Sequence, residues 1–104
     1  THQPFWKTIR KAQPQLPILI VSRPRNSSTD QTIRAYRRVI EQTYQAALAS
    51  GDRLTAFLDG EAFFPQGRED DCLQDFIHPN DYGFHLMSER VLQALRPLLA
   101  LRKE

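Results

Sequence analysis

Between residues 75 and 84 the sequence runs Asp75-Phe76-Ile77-His78-Pro79-Asn80-Asp81-Tyr82-Gly83-Phe84. A carboxylate, an imidazole, a proline and a helix-start signal stand side by side there. A histidine that works as a general base needs an acceptor on its second ring nitrogen, which fixes the tautomer and stabilises the imidazolium as it forms. An aspartate three residues earlier supplies that acceptor if the chain turns between the two, and Pro79 favours an extended conformation at His78. The spacing predicts Asp75 and His78 on one loop, with Asn80 or Asp81 capping the helix that follows. Two other chemistries share the stretch. Asp75, His78, Asp81 and His85 are suitable metal ligands, although Pro79 disturbs the regular spacing that ordinary zinc sites use. Cys72 lies near enough in sequence to be weighed as a nucleophile, against a bystander thiol.

The elements on either side have to position that loop. Residues 1–13 read as a short amphipathic helix with Phe5, Ile9 and Ala12 at helical spacing, stopped by Pro14 and Pro17. The run from Pro17 to Ser22 is apolar and β-branched, the pattern of a strand buried on both faces as in a parallel sheet. Residues 23–30 are polar and turn-forming. From Asp30 to Ser50 the apolar positions Ile33, Tyr36, Ile40, Tyr44, Ala47 and Leu48 recur at helical steps, with Ser28 and Gln31 as a candidate capping box and Gly51 as the stop. Leu54 to Gly60 reads as a second strand. Strand, helix and strand form a βαβ unit, which predicts parallel strands and a right-handed crossover. Residues 61–80 have no periodicity, and a loop of that length in a small domain is usually functional or disordered. The last helix places Phe84, Met87, Val91, Leu95 and Leu98 on one face, with Pro97 expected to kink or end it. Trp6, Tyr36 and Tyr44 are expected in the core.

With 104 residues the chain is one domain at most, residues 1–104, with limited room for a core. Fourteen basic residues are interspersed among twelve acidic ones for a net charge of +2, so no basic face of the kind that nucleic acid selects can be read. No apolar run approaches the ~18 residues of a membrane span, and no signal-peptide pattern is present. The expectation is a soluble chain with neither nucleic acid nor membrane as partner, in a compartment left open. A single cysteine excludes an internal disulfide and a CxxC site. Two parallel strands do not make a stable sheet alone. The residues therefore read as roughly the C-terminal half of a larger α/β domain, completed by a missing N-terminal segment, a second chain or another copy.

The order of parts resembles the C-terminal portion of the SGNH (GDSL-type) hydrolases. The resemblance is carried by the strand ending Val21-Ser22-Arg23-Pro24, the helix, the strand ending Leu58-Asp59-Gly60, and the block Asp75-Phe76-Ile77-His78-Pro79-Asn80 with Gly83, Phe84 and Met87 behind it. It covers roughly Phe5 to Leu99, and D-x-x-H-P-N-x-x-G-[FY] is its most specific part. It implies a flavodoxin-like, three-layer αβα fold with a parallel sheet, to which this chain contributes a βαβ unit and flanking helices, and a serine esterase that uses neither metal nor cofactor. It makes His78 the base and Asp75 its orienter. The substrate it implies is a small-molecule ester, with a short acyl group on a carbohydrate or other small alcohol. The chain departs from the family pattern in lacking the nucleophile: Ser22, Ser27, Ser28, Ser50 and Ser88 stand in no nucleophile motif. The serine and the oxyanion donors would have to lie outside these residues, leaving the 104-residue chain inactive alone.

Loops at the carboxyl ends of parallel strands face the ligand crevice. That rule makes Arg23, Arg25, Asn26, Glu61, Phe63 and Phe64 candidates to line a substrate pocket. Ser27 and Ser28 fall under the same rule, although capping the next helix also accounts for them. The competing reading of the whole chain is a truncated, non-catalytic α/β unit that serves as a structural or binding partner.

Overall fold

The computed structural model describes residues 2–23, 31–65, 68–74 and 78–102. Helix α1 (His2–Ala12) leads to strand β1 (Ile18–Val21), helix α2 (Gln31–Ala49), strand β2 (Thr55–Leu58) and helix α3 (Asp81–Arg102), with two 3-10 turns, Gly60–Ala62 and Glu69–Cys72, between β2 and α3. β1 and β2 pair in parallel, Ile18 opposite Thr55 and Val21 opposite Leu58. The chain is thus an α/β unit built on a βαβ core, as the alternation of patterns predicts.

The strand period of two sorts the side chains into two cores. Ile18, Ile20 and Phe57 face α1 and α2, packing with Trp6, Ile40, Tyr44 and Ala47. Leu58 faces α3, packing with Phe63, Phe64, Cys72, Leu73, Leu86, Met87 and Val91. The sheet therefore lies between α1 and α2 on one face and α3 on the other. α3 runs antiparallel to the strands: its first half packs near Leu58 at the end of β2, and Leu101 lines one hollow with Leu54 and Arg10 at the start. That orientation brings the residues just before α3 to the carboxyl ends of the strands.

α2 ends where the glycine predicts. Gly51 adopts φ +85°, its N–H donates to the Leu48 carbonyl at 3.0 Å, and the Asp52 N–H donates to the Ala47 carbonyl at 3.1 Å. This is the paired closure of a Schellman cap, and it needs a residue tolerant of positive φ. At the end of α1 the cap comes from a side chain. Arg10 Nη1 donates to the carbonyls of Gln13, Pro14 and Leu16, while Nε donates to Asp52 at 2.8 Å and Nη2 reaches the Leu54 carbonyl and the Thr55 hydroxyl. One guanidinium fork therefore joins the end of α1 to the start of β2. Trp6 Nε1 donates to the same threonine hydroxyl at 3.1 Å, and that hydroxyl donates to Asp52 at 2.9 Å.

Several expectations are corrected. Pro97 does not end the last helix, which continues through it to Arg102. Phe5, Tyr36 and Phe84 are 65, 65 and 58 % exposed rather than core; periodicity locates a helix but not the width of its buried stripe, and α1 turns Trp6 inward instead. β1 is not buried on both faces: Ile20 is buried, but Val21 is 39 % exposed, because nothing among the described residues covers the outer edge of the strand. The described residues of the stretch before α3 contain local structure that the lack of periodicity did not show. Its two 3-10 turns hold Phe63, Phe64, Cys72 and Leu73 in the core.

Candidate functional site

His78 stands at the mouth of a clamped loop just before α3. The Gln74 N–H donates to the His78 carbonyl at 2.8 Å, and Leu73 and Pro79 form an antiparallel bridge. Asn80 locks the base of this arrangement with every polar group it has. Its backbone N–H donates to the Cys72 carbonyl at 2.8 Å, its Nδ2 donates to the Asp71 carbonyl at 2.9 Å, and its Oδ1 accepts the Gly83 N–H at 2.8 Å. The last bond is the N-cap of α3, so of the two capping candidates Asn80 takes the role and Asp81 begins the helix.

Gly83 completes the clamp by having no side chain. A Cβ there would overlap the Cys72 carbonyl oxygen and come within 3.1 Å of the Pro79 ring, so the first turn of α3 lies directly on the backbone that carries the loop. Gly83→Ala is expected to cost about 1–3 kcal/mol, the usual penalty of overpacking against a fixed backbone, with urea denaturation as the measurement. An unchanged midpoint would mean that the loop is not held against this turn.

The clamp leaves the His78 side chain exposed at the carboxyl ends of the strands. A hollow of about 520 Å³ lies alongside, lined by Gln74, Pro79, Asn80, Asp81, Tyr82 and Phe84. Tyr82 and Phe84 present exposed rings to it. Sequence reasoning missed this pair as pocket residues; their position on the first turn after a capped histidine loop is the signal that could have found them.

A second polar group, also unforeseen, ties the strand ends together. Ser22 is buried; its hydroxyl accepts the Gly60 N–H at 2.7 Å and donates to Asp59 at 3.3 Å. Arg37 of α2 reaches across to chelate the Asp59 carboxylate through Nε and Nη2. A Cβ on Gly60 would overlap the carbonyl oxygens of Ser22 and Arg23, so the two chain segments leaving the sheet run in direct backbone contact.

The hydrogen bond from Arg37 holds the Asp59 carboxyl below the ordinary aspartate value of 3.8, partly opposed by burial and assisted by the Glu61 N–H and the Ser22 hydroxyl. A depressed folded-state value means that this contribution to stability is fully present above the unfolded value and is lost as the pH falls through the folded one. The Tm difference between wild type and Asp59→Asn is expected to hold steady from neutral pH down to about 5 and to shrink in more acid solution. A difference independent of pH would remove the carboxylate from the acid limb.

The remaining sequence candidates divide. Arg23 is exposed just past β1 and Glu61 is exposed in the 3-10 turn. Phe63 and Phe64 were expected to line a pocket, but they are buried at 1 and 5 % exposure beside Cys72 and Leu73. Their role is core packing, because the 3-10 turn after Asp59 rolls both rings inward. Cys72 is wholly buried in the same cluster, in keeping with a packing thiol. The hydroxyls of Ser50 and Ser88 donate to the carbonyls of Ala47 and His85. His85 pairs with Glu89 one turn along α3 at 3.1 Å. Among the described residues no three His, Cys, Asp or Glu side chains gather as a metal site would require. Asp75, Arg25, Asn26, Ser27 and Ser28 lie outside the described residues. No helix among those described is long and apolar enough to cross a membrane.

No protein-family model matches the sequence, and no curated protein matches it. Among solved structures the chain is similar to a salicylyl-acyltransferase, SsfX3, from a tetracycline biosynthetic pathway, with a TM-score of 0.74 and 21 % identity over 96 % of this chain and 32 % of that one. The chain spans about a third of the length of that structure, and at this identity the likeness is one of fold. The resemblance to the SGNH (GDSL-type) hydrolases is thereby corrected: no family model supports it, and the structural neighbour bears the name of an acyltransferase. The physical reason lies in the motif itself. Pro79, Asn80 and Gly83 each have a local task in bridging, capping or close packing, so the block specifies a loop-to-helix junction and does not by itself specify a family.

Proposed function

We propose that this chain carries the general base of an enzyme that moves acyl groups, with His78 taking the proton from a hydroxyl nucleophile and Asp75 orienting the imidazole. The observation that carries this reading is the clamp. A loop fixed at Gln74, His78, Pro79 and Asn80 holds an exposed imidazole at the carboxyl ends of parallel strands, where ligands of α/β sheets bind. The fold likeness to an acyltransferase supports acyl chemistry over other uses of a histidine.

In this mechanism a serine hydroxyl outside residues 1–104 attacks the ester carbonyl while His78 accepts its proton. The resulting imidazolium returns that proton to the departing alkoxide as the tetrahedral adduct collapses to an acyl-enzyme. His78 then activates either water, which releases the acid, or an acceptor alcohol, which carries the acyl group away. Asp75 keeps the ring in one tautomer throughout and stabilises its charge. The acyl group, short and borne on a carbohydrate or other small alcohol, packs in the hollow beside Tyr82 and Phe84. Arg23, Arg25 and Asn26 contact the alcohol portion.

The test is the intact mass of the protein purified from its natural source, before and after a fluorophosphonate probe, together with turnover of a short-chain ester with and without added alcohol. One adduct and ester turnover are expected. Faster ester consumption with alcohol, and a new ester as product, would identify transfer; free acid alone would identify hydrolysis. Neither adduct nor turnover would sink the catalytic reading and leave a structural or binding unit.

A further inference from the structure

Among the described residues no strand pairs with the outer edge of β1. The N–H groups of Ile18 and Ser22 donate into β2, to the Leu54 and Leu58 carbonyls at 2.8 and 3.1 Å. The two-residue period of a strand therefore turns the N–H and C=O groups of Leu19 and Val21 to the opposite edge. Exposed edges are ordinarily blunted by charge, proline or a bulge, and Ile18-Leu19-Ile20-Val21 has none of these. β2, by contrast, has no exposed residue, and Asp52 and Arg53 stand one residue before it. Along the open edge runs an apolar cleft of about 290 Å³, lined by His2, Phe5, Trp6, Ile9 and the whole of β1.

We infer that this edge receives a parallel, apolar β-strand from polypeptide outside residues 1–104. Three observations select that occupant. A strand apolar at every position belongs to the interior of a parallel sheet, paired on both sides. α1 lies over the cleft with Phe5 65 % exposed and Ile9 beside it, so a helix already overhangs the place a neighbouring strand would take. In α/β sheets such a helix covers the strand beside the one it leads into, and strands joined that way run parallel. Finally, the similar solved structure is about three times as long as the part of it that this chain matches. An incoming strand would pair with Leu19 and Val21, fill the cleft and cover Phe5. This inference is independent of the acyl chemistry.

Hydrogen exchange at the Leu19 and Val21 amides tests it, measured on the protein purified from its natural source in its native assembly, alongside its native mass. Protection of both amides by about 10³-fold or more over unprotected backbone is expected, in a particle whose mass above 12.1 kDa is not made up by further copies of this chain. Exchange at the unprotected rate would overturn the inference. Protection in a particle whose mass is a simple multiple of 12.1 kDa would overturn it equally, by making a second copy the occupant.

Discussion

Replacing His78 by alanine in the native protein is expected to lower acyl turnover by about 10³-fold, the usual weight of a positioned general base, while leaving the far-ultraviolet circular dichroism unchanged. The side chain is exposed, and the bond that closes its loop uses the His78 carbonyl, which alanine retains. The substitution therefore removes the base without removing the clamp. The loss should fall on kcat more than on KM, since proton transfer is made in the transition state. Asp75→Asn is expected to cost less than His78→Ala, because it disturbs the tautomer and orientation of the base but leaves the base in place. Turnover of His78→Ala near the wild-type rate would remove His78 from the mechanism. An unaltered rate in Asp75→Asn alone would point to another carboxylate as the orienter.

The largest effect on stability is expected far from that loop, at Arg10. Its side chain is 16 % exposed and that of its partner Asp52 is 9 % exposed, so truncation strands a nearly buried charge. It also leaves the carbonyls of Gln13, Pro14 and Leu16 without their donor at the end of α1. Breaking a buried pair typically costs 3–5 kcal/mol. Asp52 keeps the Leu54 N–H and the Thr55 hydroxyl, which places the expected cost of Arg10→Ala near the lower end, about 3 kcal/mol. In a domain of this size that lowers Tm by more than about 10 °C. Arg10→Lys should recover only part of the loss, because an ammonium supplies the charge without the planar fork that reaches three segments at once. A thermal melt of Arg10→Ala that matches wild type would show the network to be dispensable.

The two residues also mark what a linear sequence displays. His78 announces itself through its neighbours: an aspartate three before it, a proline after it and a cap signal beyond. Those relations are local, and local relations survive in one dimension. Arg10 announces nothing. It is one basic residue among fourteen, and its partners Asp52, Leu54 and Thr55 lie 42 to 45 positions away. Asp59 and Arg37 are silent for the same reason, being joined only when α2 lies across the end of β2.

Phe63 and Phe64 illustrate the opposite error. Their place after a parallel strand suggests a pocket wall, yet a single 3-10 turn rotates both rings into the core. The family resemblance drawn from the block around His78 fails in a related way. Its proline, asparagine and glycine are satisfied by local geometry at one loop, and local geometry can recur wherever a helix starts against a backbone carbonyl.

By itself the sequence determined the order of elements, the parallel βαβ core, the Gly51 closure of α2 and the capped loop that carries His78. Each depends on backbone preference or on apolar spacing within one segment. The tertiary structure alone decided which face of each helix is buried, that Pro97 lies within α3, that Arg10 and Asp59 hold distant segments together, that Tyr82 and Phe84 line a hollow with Pro79 and Asn80, and that among the described residues β1 pairs on one edge only. Those outcomes depend on which segments meet, because burial and hydrogen-bond partnership are properties of contacts between elements.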